Sequence, residues 1–168
     1  RIYGLTKGQY SPTSEAGKVT KSTPYGSIDN PFNPVSLALG AEASFVARTV
    51  DSDRAHLSEV LTAAVNHRGA ALVEIYQNCP IFNDGAFDQL KGTEAAETVI
   101  PLKHGEPITY GPDGRFAVVR DGFGVTVRPT AEVAASDIVV HDAHADDPAL
   151  AFALSRLTDS EYLRQTPI

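Results

Sequence analysis

Leu57, Val60, Leu61, Ala64 and Val65 recur at the i, i+3, i+4, i+7, i+8 spacing of an amphipathic helix. Asp51, Ser52 and Asp53 offer N-caps ahead of that stripe, and Gly69 stands where a residue just past the helix is expected. Before it, Ser44–Thr49 reads as a strand; after it, Ala70–Tyr76 is mostly apolar, the pattern of a parallel strand covered on both faces. Strand, helix and strand with short connections predict a βαβ unit and so an α/β fold. A short helix is expected over Val35–Ala41, behind Pro34. The stretch from Gly4 to Asn33 has neither periodicity and is rich in Gly, Ser, Thr and Pro. A loop that long in a compact domain is usually functional or disordered.

The pattern changes after about Gly92. Two Gly-containing turns, Gly111–Gly114 and Asp121–Gly124, separate β-prone runs at Ile108–Tyr110, Arg115–Arg120 and Val125–Arg128, which predicts a small antiparallel meander. Asp147 and Pro148 read as an N-cap followed by proline at the first helical position, opening a helix through Leu157. The last ten residues read as a tail or an arm. The chain therefore divides into residues 1–92, an α/β part, and residues 93–168, an extension with meander, helix and tail.

Charge narrows the function classes. A net charge of −7 over 168 residues argues against a nucleic-acid surface, which needs clustered Lys and Arg. The charge is uneven: the first thirty residues hold Arg1, Lys7, Lys18 and Lys21 against Glu15 and Asp29. A basic, Gly-rich opening in an acidic chain suits a small anionic ligand, although a solvated loop would look similar. No apolar run reaches the roughly 20 residues that cross a bilayer, and no signal peptide opens the chain. One cysteine, Cys79, excludes an internal disulfide and points to a cytoplasmic setting. Arg1-Ile2-Tyr3 reads as the end of a strand, so an upstream segment is expected.

The run Ile2-Tyr-Gly-Leu-Thr-Lys-Gly-Gln-Tyr-Ser-Pro-Thr13 carries a more specific signal, followed in order by Lys21–Gly26, Gly40-Ala41, Phe45–Arg48 and Asn78-Cys79-Pro80. This series resembles the thiamine-diphosphate-binding β subunits of 2-oxoacid:ferredoxin oxidoreductases, in the part that follows their metal-binding Asn. The resemblance implies the C-terminal part of a thiamine-diphosphate-binding fold with parallel strands and helices, plus a small β-rich extension. The implied activity is oxidative decarboxylation of a 2-oxoacid, 2-oxoglutarate first and pyruvate as the alternative, to acyl-CoA with ferredoxin as acceptor. It also implies thiamine diphosphate, Mg²⁺ and a [4Fe–4S] cluster as cofactors. An α subunit and the upstream part of the β subunit, with its remaining metal and cluster ligands, are the implied partners.

Residue by residue, Ile2 would give its backbone carbonyl to the metal, and Gly4, Leu5 and Thr6 would lie against the cofactor. Glycine allows the close approach a diphosphate needs, although Gly4 also fits a simple turn and Leu5 simple packing. Lys7 is a flexible cation suited to the distal carboxylate of 2-oxoglutarate; a diphosphate contact or a solvated lysine remain open. Cys79 matches the position of one cluster cysteine and lies just past the carboxyl end of the second strand, the edge where sites of α/β sheets gather. Its alternative is a buried structural thiol. His141 and His144 have a spacing that suggests metal only superficially, since helix-dipole carboxylates explain the neighbouring acids. Two rival classes remain: a non-catalytic α/β module, and a hydrolase using Cys79 as nucleophile.

Overall fold

The structure is a computed structural model that describes residues 11–20, 23–81, 83–157 and 165–168. Ile2, Gly4, Leu5, Thr6 and Lys7 lie outside the described residues. Helix α1 (Pro34–Gly40) starts on Asn33, whose side chain accepts the Ser36 N–H, with Pro34 in the first turn where its missing N–H costs nothing. Strand β1 (Phe45–Val50), helix α2 (Arg54–Asn66) and strand β2 (Ala71–Tyr76) form the expected βαβ unit, with β1 and β2 parallel and in register from Phe45–Ala71 to Val50–Tyr76. Of the three candidate caps for α2, Asp53 is the one used; it accepts the His56 N–H. Gly69 sits further past the helix than expected, behind a C-cap at His67. Its φ is +151°, and a Cβ there would run into the Ser44 hydroxyl.

Two expectations need correction here. Strand β2 is not covered on both faces: Glu74 and Tyr76 are buried while Ile75 is exposed. The cause is a sheet of only two strands among the described residues. Likewise the α2 stripe is half covered. Val60 is buried and Leu57 and Ala64 are partly so, but Leu61 and Val65 face outward.

The second half begins with a short helix α3 (Ala95–Thr98) running into strand β3 (Val99–Ile100). The meander follows as β4 (Thr109–Tyr110), β5 (Phe116–Asp121) and β6 (Gly124–Pro129), antiparallel in the order β4-β5-β6. Helix α4 (Ala149–Ser155) starts one residue later than the sequence suggests: Pro148 is the capping position, and Asp147 Oδ1 accepts the Ala149 N–H from outside the helix. The end of the chain is not a free tail. Thr166–Pro167 form β7, parallel to β3, and Thr166 is fully buried. The Ile168 N–H donates to Ile100 and its carbonyl accepts from Leu102 N–H.

Two hydrophobic clusters hold these parts. Ile100, Ile108, Tyr110, Val118, Val139 and Leu154 form one, inside the extension. Each fully buried aliphatic side chain there contributes about 1.5–3 kcal/mol relative to exposure. Val50, Tyr76, Phe87 and Leu90 form the other, with Val99 and Ile168 packed against it. The second cluster therefore joins the βαβ unit to residues from the far end of the chain. Asn33 Nδ2 donating to Ser155 O, and Ser36 and Ser155 hydroxyls 2.8 Å apart, tie α1 to α4 in the same way.

Candidate functional site

Parallel register puts the ends of β1 and β2 side by side, and the loops leaving them share one edge of the sheet. Asp51 follows β1; Gln77, Asn78 and Cys79 follow β2. The Asp51 N–H donates to Tyr76 O at 2.9 Å, and Asp51 Oδ2 accepts the Asn78 N–H at 3.1 Å. Asn78 extends the connection, its Nδ2 donating to Asp84 Oδ1 at 2.8 Å and its Oδ1 accepting the Gly85 N–H at 3.0 Å. The Asn83 N–H donates to Cys79 O at 3.0 Å, closing a bridge between those residues. Cys79, half-buried, thus sits in a loop fixed by backbone and side-chain bonds rather than by a packed core.

Beneath this edge, Arg48 and Glu74 face each other across the strands. Arg48 Nε donates to Glu74 Oε2 at 2.8 Å, and both side chains are only 5% exposed. Arg48 Nη1 also donates to Pro167 O at 3.2 Å, and the guanidinium carbon lies 5.2 Å from the centre of the Tyr76 ring. Tyr76 in turn stacks on Phe87 at 4.8 Å with planes 6° apart. A layer of β1, β2, residues 85–90 and the chain's last residues, joined by these contacts, therefore underlies the Cys79 loop.

Of the residues singled out by sequence, the structure brings Cys79 to the sheet's carboxyl edge as expected, and the five N-terminal ones fall outside the described residues. In the sequence Asp51 is only a capping candidate; its partner lies 27 positions away, and only the strand register reveals it. Among the described residues, no three His, Cys, Asp or Glu side chains converge on an ion position. Instead His104 and His144 rings stack obliquely at 4.6 Å, and Asp142 Oδ1 lies 3.4 Å from His104 Nδ1 and accepts the His144 N–H. Burial first, and then His104, hold the His141 pKa below its ordinary value against the opposing pull of Asp142. An open cleft lined by Val119, Arg128, Glu132, Asp137 and Val140 lies within the extension, and nothing in it points to chemistry. No described helix is long and apolar enough to cross a membrane.

Comparison with known proteins gives these features a context. Residues 1–75 match the family model of the thiamine pyrophosphate enzyme C-terminal TPP-binding domain. The 2-oxoglutarate oxidoreductase subunit KorB of Mycobacterium tuberculosis is 69% identical over 159 residues, 95% of this chain and 43% of that protein. The 2-oxoacid:ferredoxin oxidoreductase subunit beta of Saccharolobus solfataricus is 45% identical over 83 residues, 49% of this chain and 27% of that one. Among solved structures, the 2-oxoglutarate:ferredoxin oxidoreductase of Magnetococcus marinus, determined with 2-oxoglutarate, coenzyme A and succinyl-CoA bound, matches with a TM-score of 0.52 and 36% identity. It covers 62% of this chain and 35% of that one. The chain thus spans less than half the length of the curated relatives it matches. With the parallel βαβ unit and the Cys79 edge in place, these likenesses agree with one another: over the residues it spans, the chain is similar to β subunits of 2-oxoacid:ferredoxin oxidoreductases.

Proposed function

We propose that this chain is part of a β subunit that oxidatively decarboxylates 2-oxoglutarate to an acyl-CoA, passing electrons to ferredoxin in complex with an α subunit. The observation carrying this reading is the 69% identity, over 95% of the chain, to a 2-oxoglutarate oxidoreductase subunit. Bound thiamine diphosphate supplies an electron sink for decarboxylation, Mg²⁺ anchors its diphosphate, and a [4Fe–4S] cluster supplies the outlet for single electrons. The chain's own residues bind and orient. In this reading Ile2 would give its backbone carbonyl to the metal, Gly4, Leu5 and Thr6 would bind the cofactor, and Lys7 would hold the distal carboxylate of the substrate.

Cys79 suits a cluster ligand by its donor chemistry. It is a soft thiol on a fixed loop at the sheet's carboxyl edge, and one such donor fills one of the four cluster positions. The remaining ligands would come from upstream residues of the same subunit. A boundary at residues 92/93 would separate the cofactor-binding part from the extension; the change from parallel to antiparallel strands after it supports this reading. In the full-length subunit assembled with its partner, Cys79→Ala should bleach the broad visible absorption and stop ferredoxin reduction. A mutant with a full iron complement and normal electron transfer would sink the assignment. The isolated 168-residue chain should bind thiamine diphosphate and Mg²⁺ weakly in a calorimetric titration, and tight binding would misplace the site.

A further inference from the structure

Asp51 grips the chain on both sides of Gln77. Its N–H bonds Tyr76 O and its Oδ2 takes the Asn78 N–H, while Oδ1 is buried and, among the described residues, without a hydrogen-bond partner. Burying a carboxylate oxygen unsatisfied is costly, and capping of α2 does not require it, because Asp53 does that. What the arrangement secures is the direction in which the backbone enters Cys79. Downstream, Asn78 clasps Asp84 and Gly85, and Cys79 O holds the Asn83 N–H, so the loop is closed at both ends.

We infer that Asp51 is the positioning residue for the Cys79 thiolate, fixing it through the Asn78 N–H so that a cluster binds without reorganising the loop. This rests on the reading of Cys79 as a cluster ligand. Partners behind metal ligands, though they never touch the metal, change its affinity by about 10–100-fold when lost. The relevant property is the acceptor atom, so asparagine, which keeps volume and acceptor without the charge, should replace aspartate.

The test uses the full-length subunit in its complex and measures the rate of iron release to a chelator, alongside the electron paramagnetic resonance signal of the reduced cluster. Asp51→Ala should release iron about tenfold faster or more and broaden the signal, whereas Asp51→Asn should stay within about twofold of the parent. No acceleration in Asp51→Ala, or equal acceleration in Asp51→Asn, overturns the inference. Should Asp51→Ala fail to assemble, Asp51→Ser supplies the comparison, since its shorter side chain stays polar but no longer reaches the Asn78 N–H. Faster release then supports the clamp, and an unchanged rate overturns it. Cys79→Ala separates the two levels. Full iron retention there removes the ligand reading itself, whereas iron lost in Cys79→Ala but held as in the parent by Asp51→Ala removes only the positioning role.

Discussion

Arg48→Met is the sharpest test of how this fold is held. The pair it breaks is buried on both sides, and the same guanidinium donates to the Pro167 carbonyl. Removing one partner of such a pair leaves a charge in a dry setting, a loss of about 3–5 kcal/mol. For a chain of this length each kcal/mol moves the thermal midpoint by about 2–4 °C, so the drop should be roughly 6–20 °C. Met follows the aliphatic stem of Arg, so packing against Tyr76 is largely kept and the loss reads the charge. Replacing both members, Arg48→Met with Glu74→Leu, removes the desolvated charge altogether. The double variant should return to within about 2 kcal/mol of the parent, part of the remainder being the unpaired Pro167 carbonyl. Calorimetry or guanidinium denaturation followed by circular dichroism gives the values. A single variant within about 1 kcal/mol of the parent, or a double variant as damaged as the single, would refute the reasoning.

Two further outcomes are expected. Lys7→Ala should lower kcat/KM for 2-oxoglutarate roughly tenfold to hundredfold, the equivalent of a charge-assisted bond, and spare pyruvate; a constant ratio between the two substrates removes Lys7 from substrate choice. The His141 pKa lies below its ordinary value in the folded chain, so the unfolded chain takes the proton first. Stability is then full above about pH 6.5 and declines as pH falls below it; His141→Gln should flatten that decline in thermal midpoints between pH 8 and 5, and an unchanged slope counts against it.

Much of the fold is legible in the sequence, for identifiable reasons. The βαβ unit shows because α2 and β2 carry apolar patterns long enough to have a period, and the meander shows because its turns need Gly. Arg48 and Glu74, by contrast, look like surface charges in either strand alone; their burial follows from register, which pairs them directly. The buried end of the chain is invisible for a different reason. Thr166 and Pro167 make a two-residue strand, too short for any alternation, and its partner Val99–Ile100 is equally short. The role of Asp51 is hidden because local rules offer any aspartate ahead of a helix as its cap; Asp53 takes that place, and only the strand register turns Asp51 toward Asn78. The Cys79 edge was legible from the strand's end alone, since topology fixes where such loops emerge.

The pairing of β7 with β3 also sets an order of assembly. The meander and the βαβ unit join residues close in sequence and can form as each leaves the ribosome. Val99–Ile100 must wait for residues 166–167, and so must Arg48 for its bond to Pro167. Until then the Val50–Tyr76–Phe87–Leu90 cluster stays open on the side that Ile168 later covers. A ribosome paused shortly before residue 166 would therefore hold a chain with most of its strands made and Arg48 still without its bond to Pro167. Chaperone capture and proteolysis should concentrate on that intermediate.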